Sequence, residues 1–301
     1  MIELRAQNVI QQEVKGYARD VGNKRWKEAE VYAAINQALN DWRGRVRVPF
    51  IYTIPGGWNN GTYEYALPDY VDEPLQPQQK RYVYDWQYMA GIANDVDTWT
   101  DIPMFHVKPN SAGGRTLHLD YQIYNGDGRI IFWAENGTLP TTIPLLNAGI
   151  DGDDTSLVLA TVPNVGRVGY VKIDAEWMQY AGYTEGASTL TLTNLLRGIN
   201  STTAGSHSSS APVHFGVAAD HTGLFQQLTD GAMHSMMRYW MMNASSRETN
   251  HYEKQLLFYQ DQAMRFWPRY STTRRPQTKL TRDGLGDLGL GYFYQRRSPY
   301  A

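Results

Sequence analysis

The hydrophobic period switches along this chain from helical to strand-like and back, and that switch limits what the chain can fold into. Near the start, Ile2, Ala6, Ile10, Val14, Tyr17 and Val21 recur at three- and four-residue steps, the spacing of one helix face. After Gly22-Asn23, a second stripe holds Val31, Ile35, Ala38, Leu39 and Trp42, opposite Lys27, Glu28, Glu30, Asn36 and Asn40. Far downstream, Leu224, Leu228, Ala232, Met236 and Trp240 form one row, with Phe225, Met233, Met237 and Met241 beside it. Ser245 and Glu248 read as a capping box that starts another helix. Tyr252, Leu256, Tyr259, Ala263 and Phe266 line its inner face, and Pro268 ends it. Half-apolar helices need packing partners. Two at each end predict an α+β fold, with residues 1–46 and 217–268 joined as a helical bundle.

Between the helices the pattern is β. In residues 47–142, Phe50–Ile54 and Thr62–Tyr65 flank an Asn60-Gly61 turn and read as a hairpin. Asn125-Gly126 and Asn136-Gly137 mark further turns, with strands expected at 82–86, 117–121 and 129–133. The last is a continuous apolar run, as in a strand covered on both faces. Residues 143–216 change character. They carry Arg167, Lys172 and Arg197 against Asp151, Asp153, Asp154, Asp174, Glu176 and Glu185, a net of 3 − 6 = −3. Short strands are expected at 156–160, 169–173, 178–180 and 189–193. The stretch is expected to be a small inserted β domain, and Gly149 and Gly216 bracket the part, 150–216, expected to fold by itself.

Residues 269–301 lack a helical period. From residue 265 on, eight Lys and Arg face Asp283 and Asp287, a net of 8 − 2 = +6, and glycines alternate with Leu and aromatics. This predicts an extended basic arm without a core of its own. The whole chain is nearly neutral, 28 − 30 = −2, which argues against a general affinity for nucleic acid. Charged residues are sparse at 19 % and aromatics abundant at 13 %, which argues against disorder.

Several chemistries find no support. Cysteine is absent, which excludes disulfides, a thiol nucleophile and thiolate metal sites. No G-x-S-x-G, P-loop or H-E-x-x-H occurs, and no G-x-G-x-x-G fingerprint follows an expected strand. His106, His118, His207, His214, His221, His234 and His251 are scattered. His207 and His214 share a segment with Asp220 and His221, and capping or turn hydrogen bonds are the better reading there than a metal. Asp151-Gly152-Asp153-Asp154 resembles a calcium loop but lacks the further oxygens and the closing Glu, so a tight turn is expected. The start of the chain has no apolar h-region, and no apolar run approaches the roughly 18 residues of a membrane span. A soluble chain made in a cytoplasm is expected, with no cofactor and no enzymatic activity.

Two stretches resemble proteins of tailed bacteriophages. The first runs Gly169-Tyr170-Val171-Lys172-Ile173-Asp174-Ala175-Glu176-Trp177-Met178-Gln179-Tyr180-Ala181-Gly182, then Leu196-Arg197-Gly198-Ile199-Asn200-Ser201-Thr202-Thr203-Ala204, and closes with His207. It is similar to a small β module of many virion proteins, with Leu196 for the usual Thr and Ser201 for the usual Gly. The second is the frame: early helices, a strand pair, Tyr65-Ala66-Leu67-Pro68-Asp69-Tyr70-Val71, then helices ending in Arg265-Phe266-Trp267-Pro268-Arg269-Tyr270 before an Arg-rich tail. This order resembles the head-to-tail adaptor (connector) proteins.

That resemblance implies a structural virion protein of the neck, present in the host cytoplasm during assembly. In that family a helix bundle sits in a dodecameric ring beneath the portal, and a C-terminal arm docks onto it. The chain would extend the DNA channel, let packaged DNA pass without sequence-specific binding, and offer a surface to tail or nozzle proteins. The docking arm would comprise Arg269, Arg274, Arg275, Lys279, Arg282, Leu285, Leu288, Leu290, Tyr292, Phe293, Arg296 and Arg297. Trp58, Tyr63, Tyr65 and Trp86 are the expected contacts with ring neighbours or tail proteins. The alternative from another class is a receptor- or glycan-binding tail protein, and a third is a cell-wall hydrolase of the tail.

Overall fold

The computed structural model describes residues 2–18, 26–43, 46–71, 75–83, 96–110, 114–123, 125–220 and 222–243, with 253, 254, 257, 258 and 261. The chain opens with strand β1 (Glu3–Ala6) and helices α1 (Gln7–Tyr17) and α2 (Glu28–Trp42). Seven strands follow: β2 (Arg47–Thr53), β3 (Glu64–Leu67), β4 (Leu75–Val83), β5 (Val96–Asp101), β6 (Phe105–Pro109), β7 (Arg115–Leu119) and β8 (Gly128–Glu135). Next come β9 (Leu157–Leu159), β10 (Val168–Ile173), β11 (Glu176–Ala181), β12 (Tyr183–Glu185), β13 (Leu190–Leu192), β14 (Leu196–Ile199) and β15 (His214–Ala219), and then helix α3 (Thr222–Asn243). Among the described residues, those up to 48 and those from 135 on form one compact unit, and those from 49 to 134 form another.

The expected helical bundle is overturned. Strands take 39 % of the described residues, in four sheets, against three helices. In the first unit the organising element is an antiparallel sheet of order β1-β15-β10-β11-β14. One core joins Ile10 and Val14 of α1, Val31 and Ile35 of α2, and Leu224, Leu228 and Met233 of α3 to Val171, Ile173, Phe215 and Val217 of the sheet. From Ile10 on the apolar stripes are helix faces, but they cover a sheet as well as one another. Of the second C-terminal helix, Glu253, Lys254, Leu257, Phe258 and Asp261 are helical, and its expected inner face lies outside the described residues.

The first residues show how the helix reading overran. Ile2 and Ala6 satisfy a four-residue step, but Ile2, Leu4 and Ala6 equally satisfy alternation, and all three are buried. Pairing with β15, Glu3↔Ala219 through Ala6↔Gly216, decides for strand. That pairing also changes the meaning of the insert. Strands β10, β11 and β14 share their sheet with the N-terminal β1, so the stretch 143–216 is not a separate body. A second small sheet, β12-β13-β9, arises because the chain turns a corner after β11. The corner residue is Gly182, at φ 112°, a conformation that only glycine adopts without strain.

Two asparagine side chains imitate a backbone partner. Asn36 of α2 donates to the Leu139 carbonyl at 2.7 Å and accepts from the Leu139 N–H at 2.8 Å. Asn136 does the same for Ala218, at 2.9 and 2.8 Å. Each satisfies a donor and an acceptor that burial would otherwise penalise.

The second unit has a four-stranded sheet, β2-β8-β4-β5, and a three-stranded one, β3-β7-β6. The expected hairpin is not formed. Asn60-Gly61 is a turn, with Gly61 at φ 83°, but β2 lies in the β8 sheet and β3 pairs with β7. Strand β8 is buried on both faces from Gly128 to Trp133, as its continuous apolar run implied. Phe132 anchors an aromatic cluster with Phe50 at 5.9 Å and Tyr70 at 6.3 Å between ring centroids.

Candidate functional site

The module motif converges on one buried ion network. Strands β10 and β11 form a hairpin whose two-residue turn is Asp174-Ala175, with Ile173 opposite Glu176. Asp174 sits at φ 51°, a left-handed position that Asp tolerates better than most residues. The turn therefore places Asp174 and Glu176 at one end of the sheet. Strand β14 runs beside β11 and delivers Arg197 to the same end. The loop after β14 then returns His207, whose backbone pairs with Ile150.

Arg197 grips Glu176 with both prongs of its guanidinium, Nε to Oε1 at 2.7 Å and Nη2 to Oε2 at 2.8 Å. Planar fork-to-carboxylate pairing of this kind is the strong form of the ion pair. Two further guanidinium hydrogens reach the carbonyls of Gly205 and Asp151. Glu176 also accepts from the Gly198 N–H at 3.0 Å and the Gly205 N–H at 3.1 Å. His207 lies between two carboxylates, with Nε2 2.8 Å from Glu176 Oε2 and Nδ1 2.8 Å from Asp174 Oδ2. Both contacts are hydrogen bonds when each ring nitrogen carries a proton. Gly198 is required by the geometry: it sits at φ 64°, and a Cβ there would lie 2.9 Å from the Ala204 nitrogen.

Burial decides what these contacts are worth. The side chains of Glu176 and Arg197 are 2 % and 7 % exposed, whereas Asp174 is 65 % exposed. Burial pushes the Glu176 carboxyl up, but the hydrogen bonds from Arg197, His207 and Gly205, with the Arg197 charge, hold it at about 2. A carboxylate with its lone pairs so occupied does not exchange protons near neutrality. The network is a clamp that ties the end of β14 and the loop 200–207 to the β10–β11 turn.

The clamp has an acid signature. The folded carboxyl is depressed from 4.5 to about 2, so its stabilisation is complete above pH 4.5 and is lost as pH falls towards 2. Between those values the wild-type chain should lose stability steeply, and Glu176→Gln should flatten that limb. Urea midpoints measured across the window check this; parallel limbs for both proteins would contradict it.

The calcium-like fragment is a turn, as expected. Asp154 accepts from the Asp151 N–H at 2.7 Å, and the Asp151 carbonyl serves Arg197. Of the expected contact residues, Trp58 belongs to the core. It is fully buried, donates from Nε1 to the Gln78 carbonyl at 2.8 Å, and meets the edge of Tyr65 at 4.7 Å. Tyr65 is half-buried, and its hydroxyl accepts from the Asn59 N–H. Tyr63 is 40 % exposed and offers surface. Trp86 and all twelve arm residues, from Arg269 to Arg297, lie outside the described residues.

One grouping escaped the sequence reading. His106 and His118 stand opposite each other on β6 and β7, with Asp120 beside them. Eleven residues separate the two histidines, so helix or loop motifs do not register them. The usable signal was two strand-like runs flanking Asn110 to Gly114, which would set a hairpin register. Comparison of the chain with known protein families, curated proteins and solved structures finds no match.

Proposed function

We propose that this chain is a structural protein of a tailed-phage virion, a head-to-tail adaptor that docks beneath the portal as a ring. In this reading it extends the DNA channel and presents a surface to tail or nozzle proteins. The observation that carries the proposal is the use made of the module motif. Asp174, Glu176, Arg197, Gly198 and His207, five of the residues that carry the resemblance to virion modules, act together as one clamp. They hold a loop in place and present no unsatisfied nucleophile or base, which suits a part that works by assembly. The near-neutral total charge suits a channel that passes DNA without gripping it. The +6 segment from residue 265 onward supplies arginines able to pair bidentately with carboxylates on a portal.

Docking is tested by capture on isolated portal rings. The full chain should be retained. A chain ending at Pro268 should keep its circular dichroism spectrum and lose retention. Changing Arg274 and Arg275 together to Ala should weaken capture by about tenfold or more, on the order of 1.4 kcal/mol or above. Equal retention of the truncated chain would remove the arm from the docking surface.

A further inference from the structure

We propose that the outward face of the three-stranded sheet β3-β7-β6 binds a first-row divalent transition metal of the zinc or nickel class, with His106, His118 and Asp120 as ligands. Strand register brings the groups together. His106 of β6 and Glu64 of β3 both stand directly opposite His118 of β7. Directly opposed residues share a face, so the three side chains form one row across the sheet. Asp120 lies two positions beyond His118 and keeps to that face, and its N–H donates to the Met104 carbonyl at 3.1 Å. The opposite face is apolar, with Leu117 and Leu119 fully buried beneath the row.

The distances suit a shared ion. His106 Nδ1 is 2.7 Å from Asp120 Oδ1, and the two imidazoles are 4.7 Å apart, inclined at 43°. One donor atom from each of His106, His118 and Asp120 falls within 4.8 Å of the others. An ion with bonds of about 2.0–2.2 Å needs its donors roughly 3–3.5 Å apart. Small side-chain rotations close that gap, because His106 and Asp120 are exposed and His118 half-buried.

The donor chemistry selects the metal. Two imidazoles and one carboxylate suit zinc, nickel or copper, whereas calcium and magnesium prefer all-oxygen sets. Glu64 supplies the outer support: its Oε1 lies 3.3 Å from His118 Nδ1. A carboxylate on that nitrogen fixes the tautomer and leaves Nε2 for the metal. With Asp120 as ligand and Glu64 behind, two negative charges meet a doubly charged ion. A plain row of surface ion pairs shows no saturable metal binding, which separates the two accounts. The site stands independently of the adaptor reading.

The test is calorimetric titration of zinc chloride into the untagged full chain at neutral pH. One saturable equivalent should be lost in His106→Ala/His118→Ala, with the circular dichroism spectrum and melting point of the metal-free protein unchanged. Asp120→Asn and Glu64→Gln should each weaken that equivalent by about tenfold or more. A full chain without saturable zinc binding, or a double histidine variant that binds in the parent's stoichiometry and affinity, would overturn the site.

Discussion

Replacing residues 150–216 with a short Gly-Ser linker should abolish cooperative folding of the helices as well as the strands. The deletion removes β10, β11 and β14 from a sheet that also contains β1. It takes Val171, Ile173, Met178, Tyr180 and Phe215 out of the core that α1, α2 and α3 cover. Five fully buried apolar side chains are worth about 1.5–3 kcal/mol each, so the loss is on the order of 10 kcal/mol. That matches the entire stability of a typical domain. Far-ultraviolet circular dichroism with thermal melting checks the outcome: a weak helical signal and a broad transition are expected. A sharp transition with the helical signal intact would mean that the helices have a core of their own.

Glu176→Gln should lower stability by about 3–5 kcal/mol at neutral pH, because it strands the buried Arg197 charge without its counter-ion. For a chain of this size that is on the order of 10 °C in melting temperature. Asp174→Asn should cost less than about 1 kcal/mol, since Asp174 is 65 % exposed and its pairing with His207 is solvent-screened. The contrast between two carboxylates bonded to the same imidazole is the point of the experiment. Equal losses at both positions would show that exposure does not set the worth of these contacts.

What the sequence disclosed follows physical range. Local signals held where one element decides its own fate. The stripes of α1, α2 and α3 are helices, the β8 run is a doubly covered strand, and Asp151–Asp154 is a turn. Partner choice was not legible, because it depends on residues far apart in the chain. Ile2, Leu4 and Ala6 fit two periods, and only β15, more than two hundred residues away, resolves them. Asn60-Gly61 has turn chemistry, but it joins strands that pair elsewhere. The same limit applies to the sites. The module motif was visible as a string of residue types, and its meaning as one clamp required Arg197 and His207 to be folded onto Glu176. Trp58 reads as a contact residue in a polar, turn-rich stretch, yet the bridge to Gly126 and the bond to Gln78 draw it inside.

The adaptor reading stands or falls on where the chain sits in the particle. Electron microscopy of intact virions labelled with antibody against the full chain measures that position. The adaptor account predicts label in a ring at the junction of head and tail. Label confined to the tail fibres or to the tail tip, with none at the neck, would contradict it.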